Sequence, residues 1–147
     1  MISVTNNRSS CPVSTSLEII GDHWTLILIR DFFLNRVTFS DFKNSPENIA
    51  TNILTDRIHK LLKYNIIKYR LNPKNRKVKQ YYLTDSGIEL YPLIYDLLIW
   101  GKNHLDIEYD TFSTISLKKI STVNREKVIQ DTISNYKNFR ESLLINS

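Results

Sequence analysis

Residues 38–84, "TFSDFKNSPENIATNILTDRIHKLLKYNIIKYRLNPKNRKVKQYYLT", decide how the chain is read. Phe39 and Phe42 lie three apart on a short helix, with Thr38 or Ser40 suited to cap it. Pro46 stops that helix, because the residue before proline avoids the helical region. A longer helix is predicted from near Ala50, with Leu54, Ile58, Leu61 and Leu62 on one apolar stripe. Its other faces carry Thr51, Asn52, Thr55, Asp56, His59, Lys60 and Lys63. A short helix, a tight turn and a longer polar-faced helix suit a helix-turn-helix whose second helix enters the DNA major groove, although many helical hairpins share the pattern.

The segment that follows narrows the choice. "IIKYRL" and "VKQYYLT" are rich in β-branched and aromatic residues, and "NPKNRK" between them is rich in turn formers, so a β-hairpin is predicted. A helix-turn-helix followed by a basic hairpin is the winged-helix arrangement, mainly α with a small β-hairpin wing. Lys74, Asn75, Arg76 and Lys77 fall at or beside the tip, within reach of backbone phosphates. Tyr69, Tyr81 and Tyr82 are read as packing on the core or the neighbouring strand.

Charge is distributed to match. Residues 1–56 hold four basic and six acidic side chains, 57–80 nine basic and none acidic, 81–104 one basic and three acidic, and 105–147 six of each. The whole excess of +5 therefore arises from one segment, whose natural partner is a polyanion.

Upstream, Leu17, Ile20, Trp24, Leu28 and Phe32 recur at helical spacing, with Gly21 dividing two helices. Downstream, "LTDSGIELYPLIYDLLIWGKNHL" (83–105) predicts one long helix capped by Thr84 or Asp85, in which Pro92 either makes a kink or leaves one carbonyl free. Apolar residues occupy more than one of its sides. A homodimer interface is therefore expected on Leu90, Ile94, Leu97 and Leu98. Residues 106–121 are undetermined. Beyond them Val128 or Ile129, Ile133, Tyr136 and Leu143 mark an extra C-terminal amphipathic helix after an Asn124 cap. The expected organisation is an N-terminal tail (1–10), a winged helix-turn-helix DNA-binding and dimerisation domain (11–104) and a C-terminal helical extension (105–147).

Other classes find little support. The 41% hydrophobic and 24% charged residues are ordinary for a soluble protein, and the longest apolar runs, such as "LILI" at 26–29, are too short to span a bilayer. "MISVTNNRSS" has no signal-peptide core, so a cytoplasmic location is expected. Cys11 is the single cysteine, which excludes an intramolecular disulfide framework and a multi-cysteine zinc site. Gly21, Gly87 and Gly101 form no phosphate-cradling loop, and His23, His59 and His104 lack metal-ligand spacing. No catalytic residue, metal or cofactor is expected. A winged-helix adaptor for RNA or protein, without operator specificity, is the competing reading.

Residues 11–101 resemble the HxlR-type transcriptional regulators, a winged-helix branch near the MarR regulators. The resemblance is carried by "CPV" (11–13), "LEIIGDHWTLILIRDF" (17–32), "TFSDFKNS" (38–45), "ILTDRIHKL" (53–61) and "YYLTDSGIELYPLIYDLLIWG" (81–101). It implies a homodimeric DNA-binding regulator, with repression the expected direction, an operator of double-stranded DNA as partner, and room for a small-molecule effector. The matching recognition-helix positions are Ala50, Thr51, Asn52, Thr55, Asp56, Arg57 and Lys60. Asn52 and Thr55 have the chemistry to read bases, an amide for adenine and a hydroxyl and methyl for other edges. Arg57 either meets a phosphate or lies back across the helix against an acid such as Asp41. The chain departs from the family at Asp22 and His23, where glycine and lysine are usual, at Ala50, where serine is common, and at Asp56, whose charge opposes phosphate. Some relatives sense oxidants through a cysteine at the position of Cys11; the other reading is a small apolar residue packed at the start of a helix.

Overall fold

The computed structural model describes residues 2, 4, 8–109, 117, 120 and 122–145. Two helices open the fold, α1 (Pro12–Ile20) and α2 (His23–Phe33), parted at Gly21 and Asp22. Leu28, Ile29 and Phe32 of α2 enter the core, where Phe32 meets Phe42 with ring centroids 4.7 Å apart. Phe42 lies on α3 (Phe39–Lys43), a single short turn of helix secured by a capping box. The Thr38 hydroxyl accepts from the Asp41 amide at 3.1 Å, and the Asp41 carboxylate accepts from the Thr38 amide at 2.8 Å. Burial disfavours the Asp41 charge, but the Thr38 and Val37 amides outweigh it and hold the carboxyl below the ordinary range.

α4 (Thr51–Lys63) buries Leu54, Ile58 and Leu61 against that core and so fixes which face points away. The turn before it is stapled to α2. Asp31 is fully buried, with one carboxylate oxygen taken by Arg30 at 2.6 Å and the other by Arg36 at 2.6 Å. Arg30 then bridges to Glu47 at 2.6 Å, and the Ser45 hydroxyl donates to the same carboxylate. A buried carboxylate demands such complete pairing, since an uncompensated charge in the interior costs several kcal/mol. The Arg30 bridge holds the Glu47 carboxyl down to about 2, with burial opposing and Ser45 assisting.

Asparagine takes positions that glycine often fills. Asn35, Asn48 and Asn65 have φ of 61°, 53° and 53°, a region asparagine tolerates better than most residues. Asn65 closes α4 in a Schellman pattern: its N–H donates to the Leu62 carbonyl at 3.0 Å and that of Ile66 to Leu61 at 2.9 Å. Asn35 does the same after α2.

β1 (Ile67–Asn72) and β2 (Asn75–Leu83) form the antiparallel hairpin, in register from Ile67 opposite Leu83 to Leu71 opposite Lys79. The turn is tighter than the six-residue loop expected, because Asn75, Arg76 and Lys77 already belong to β2. Asn72 accepts from the Lys74 amide at 2.9 Å, an Asx turn behind Pro73. The hairpin is docked as well as paired, since the Tyr81 amide donates to the Val37 carbonyl at 2.7 Å just before α3.

The long helix expected from Thr84 or Asp85 is in fact two. Thr84 caps only α5 (Asp85–Ile88), and α6 (Tyr91–His104) starts afresh with Pro92 in its first turn. Pro92 does not kink a helix here; it occupies a position where its missing N–H has no intrahelical partner to lose. Gly87 explains the tight joint, because a Cβ there would lie 2.3 Å from the Ile66 carbonyl oxygen and 3.0 Å from Leu83.

The C-terminal helix α7 (Arg125–Ile145) packs into the same core. Asn124 accepts from the Glu126 amide at 2.8 Å at its start. Tyr136 is buried between Phe33 and Phe139, and its hydroxyl accepts from the Leu83 amide at 2.9 Å. Burial pushes that phenol up to about 12. Arg140 donates to the Leu83 carbonyl at 3.0 Å and to Asp85 at 2.8 Å. Most of residues 106–121, undetermined from sequence, fall outside the described residues.

Gly87→Ala should lower stability by about 1–3 kcal/mol through overpacking, reversing the gain of roughly 1 kcal/mol that alanine brings to an open helical site. Thermal unfolding checks the sign. Glu47 titrates lower in the folded chain than its ordinary 4.5. Its contribution is therefore fully present above about pH 5 and fades as pH falls toward 2. Glu47→Gln should flatten that part of a stability-versus-pH curve; an unchanged acid limb would remove the Arg30–Glu47 bridge from the account.

Candidate nucleic-acid interface

α4 presents a polar face opposite its buried stripe. Thr51, Asn52, Asp56, His59 and Lys63 are exposed, and Thr55 is half-buried. The Thr55 hydroxyl donates to the Thr51 carbonyl at 2.9 Å, so its proton is engaged inside the helix and its methyl is what it offers outward. Ala50 is the N-cap and supplies no side-chain cap, leaving the first-turn N–H groups of α4 uncapped by side chains.

Arg57 and Lys60 behave differently from their neighbours. Arg57 lies back from the polar face, as one of the two sequence readings had it, but the acid is Asp22 and not Asp41. Asp41 is engaged in the α3 capping box, whereas Arg57 Nε donates to Asp22 Oδ1 at 2.7 Å. Lys60 Nζ approaches Asp22 Oδ2 at 3.4 Å. Asp22 is at the same time the N-cap of α2, accepting from the Thr25 amide at 3.0 Å and its hydroxyl at 2.6 Å. Burial disfavours the Asp22 charge, but the donors from Thr25 and Arg57 prevail and keep its carboxyl far below the usual range. Arg57 also pairs with Asp56, which offsets the acid that would otherwise face phosphate.

The wing is the open cationic element. Lys68, Lys74, Arg76, Lys77 and Lys79 are exposed, and Lys74, Arg76 and Lys77 enter no ion pair among the described residues. Asn75 is exposed beside them, its side chain accepting from the Lys77 amide at 3.2 Å. Lys79 rests over the Tyr69 ring, 4.4 Å from its centroid, and Tyr69 lies 6.0 Å from Tyr81. Tyr81 is buried and Tyr69 is on the wing surface. Between wing and α3 runs an open groove of about 690 Å³ bordered by Ser40, Lys43, Lys77 and Lys79. The wing is thus docked beside α3 through the Tyr81–Val37 hydrogen bond.

The four residues expected at a dimer interface separate into two pairs. Leu97 and Leu98 are 47% and 38% exposed, while Leu90 and Ile94 are half-buried against the core of their own chain. Leu93 and Trp100, at 40% and 57%, extend the exposed apolar set on α6, and Val13 and Leu17 are exposed on α1. Cys11 is exposed at the N-cap of α1 and is not packed within its own chain. Among the described residues no helix is long and apolar enough to cross a membrane, and no three His, Cys, Asp or Glu gather as metal ligands.

Sequence reasoning singled out Asp22 only as a departure from the family. Its position just before "HWT" carries the signal of an N-cap, but nothing local links it to Arg57, 35 residues on.

The fold and the sequence have clear relatives. The family described as HxlR-like helix-turn-helix matches residues 19–109. The uncharacterized HTH-type transcriptional regulator YybR of Bacillus subtilis (strain 168) is 26% identical over 101 residues, 69% of this chain and 81% of its own. The crystal structure of PA1607, a candidate transcription factor, superposes with a TM-score of 0.65 at 30% identity, covering 71% of this chain and 74% of that one. The redox regulator HypR in its oxidized form gives a TM-score of 0.58 at 26% identity, covering 66% of this chain and 100% of that one. α7 lies beyond the residues the family matches. With more than half of its length matched and a helix-turn-helix followed by a basic wing, the chain belongs to the HxlR-like helix-turn-helix family of DNA-binding transcriptional regulators.

Proposed function

We propose that the protein is a homodimeric repressor that sets α4 in the major groove and lays its wing along the phosphate backbone. The observation that carries this reading is the pairing of the exposed face of α4 with a docked hairpin whose cations are exposed. Asn52 reads a base by its amide, and Thr51 and Thr55 contact neighbouring edges. Lys74, Asn75, Arg76 and Lys77 hold phosphates and fix orientation. The uncapped first turn of α4 is suited to a phosphate, because its N–H groups and the helix dipole both favour an anion. Two copies joined through Leu93, Leu97, Leu98 and Trp100 of α6 bury apolar surface that a lone chain leaves in water. They read half-sites about one helical turn, ~34 Å, apart. A cytoplasmic location follows from this activity.

The reading extends to oxidants through Cys11, the chain's single thiol, which is exposed and so open to attack. HypR, a relative in fold at 26% identity, is described as a redox regulator. Peroxide would convert the thiol to a sulfenic acid with loss of water, and a second thiol would then condense with it to a disulfide, releasing another water.

Selection of bound genomic fragments, with and without peroxide, identifies the operator. On it, replacing Arg76 and Lys77 with alanine should weaken binding to every duplex and reduce the log–log salt slope by roughly 2, whereas Asn52→Ala should change preference at particular bases by about 1–3 kcal/mol. Equal binding of all duplexes by the wild type, or an undiminished slope in the wing variant, counts against the proposal. Peroxide followed by glutathione should add one glutathione per chain and alter operator affinity, and Cys11→Ser should abolish both effects. An adduct that leaves affinity untouched removes the sensing role.

A further inference from the structure

We infer that Asp22 is a positioning residue that limits sequence-independent DNA binding, by withholding Arg57 and Lys60 of α4 from the phosphate backbone. The inference rests on the proposal that α4 and the wing grip DNA. Three contacts converge on one carboxylate. Thr25 fixes it as the N-cap of α2, Arg57 Nε takes Oδ1 at 2.7 Å, and Lys60 Nζ lies 3.4 Å from Oδ2. The carboxylate therefore cannot follow the cations outward: α2 holds it in place, with Thr25 and Leu28 buried behind it.

The restraint falls on the two α4 cations that flank its exposed face. Side-chain exposure is 24% for Arg57 and 26% for Lys60, whereas Lys74, Arg76 and Lys77 of the wing are exposed. Asp56 also pairs with Arg57, but it is 68% exposed on the same helix and would move with it. Such an adjacent surface pair contributes little in water. Asp22 is thus the anchor, and its removal frees two long cationic side chains beside a surface that already meets DNA. Each phosphate so gained releases counterions and adds about 0.9 to the log–log salt slope for any sequence. Affinity that does not depend on sequence favours the bulk of a genome over the operator. A restraint on Arg57 and Lys60 therefore protects discrimination, while leaving sequence reading to Asn52 and its neighbours.

The test uses the full chain and a random-sequence duplex, titrated across salt. Asp22→Ser and Asp22→Asn both keep an oxygen for the Thr25 amide and remove the charge. Each should steepen the slope by about 0.9 to 1.8, so that the gain in affinity over wild type is about 3.5-fold larger at 50 than at 200 mM salt for one new contact and about 12-fold for two. Adding Arg57→Gln to Asp22→Ser should take back about 0.9 of that slope, the whole gain for one new contact and half of it for two, and Arg57→Gln alone should leave the wild-type slope unchanged. A slope in folded Asp22→Ser or Asp22→Asn equal to or shallower than wild type overturns the inference, with thermal unfolding reporting the fold. So does a wild-type slope that falls by about 0.9 on Arg57→Gln alone, which needs no change at Asp22. A wild type whose binding is indifferent to salt would instead overturn the DNA-gripping reading beneath it.

Discussion

The burial of Leu54, Ile58 and Leu61 sets which face of α4 is turned outward. These three side chains lie on one stripe of α4, and all are buried among Leu28, Ile29, Phe32 and Phe42. Each contributes roughly 1.5–3 kcal/mol relative to exposure, so rotating the helix about its axis would forfeit more than a small domain's net stability can spare. With that rotation forbidden, Thr51, Asn52, Asp56 and His59 must face outward. The same constraint places Arg57 on the flank nearest α2, where Asp22 can reach it.

Basic residues in the chain fall into two populations with different physical duties. Arg30 and Arg36 compensate the buried Asp31, and Arg30 continues to Glu47 in the turn between α3 and α4. Their charges are consumed by the fold. Arg57 and Lys60 belong with them, although they lie within the basic segment that dominates the net charge. Lys74, Arg76 and Lys77 hold no such partners among the described residues. The segment that carries the charge excess is therefore divided: Arg57 and Lys60 are ion-paired with Asp22, and the wing-tip cations are not.

What could be read from sequence was what repeats locally. The apolar stripe of α4, the β-branched and aromatic runs flanking the turn formers of "NPKNRK" and a cap at Thr38 or Ser40 each signal their structure within a few residues; the stripe and the hairpin are present, and the cap is Thr38. The α5–α6 break was missed because Pro92 within an apolar run has two physical meanings, a kink in one helix or the first turn of another. Local periodicity does not choose between them. Leu90 and Ile94 were assigned to a dimer face for the same reason, since periodicity reports an apolar side without saying which neighbour covers it. The Asp22–Arg57 contact had no local signal at all. Its partners are 35 residues apart, and Asp41, the acid named from sequence, is engaged in the α3 capping box instead.

α7 shows how the base of the wing is held from outside the region shared with relatives. Leu83 ends β2, and both of its backbone polar groups are taken by α7, the amide by the Tyr136 hydroxyl and the carbonyl by Arg140. A buried amide left without a partner costs roughly 1–3 kcal/mol, so the end of β2 and α7 cannot separate without that penalty. The aromatic contacts of Tyr136 with Phe33 tie the same helix to α2, and Arg125 reaches Asp96 on α6 at 2.6 Å. One helix thus touches the wing base, the α2 core and the helix proposed to dimerise. The basic hairpin is therefore held at two places, by Val37 beside α3 and by Tyr136 and Arg140 at Leu83.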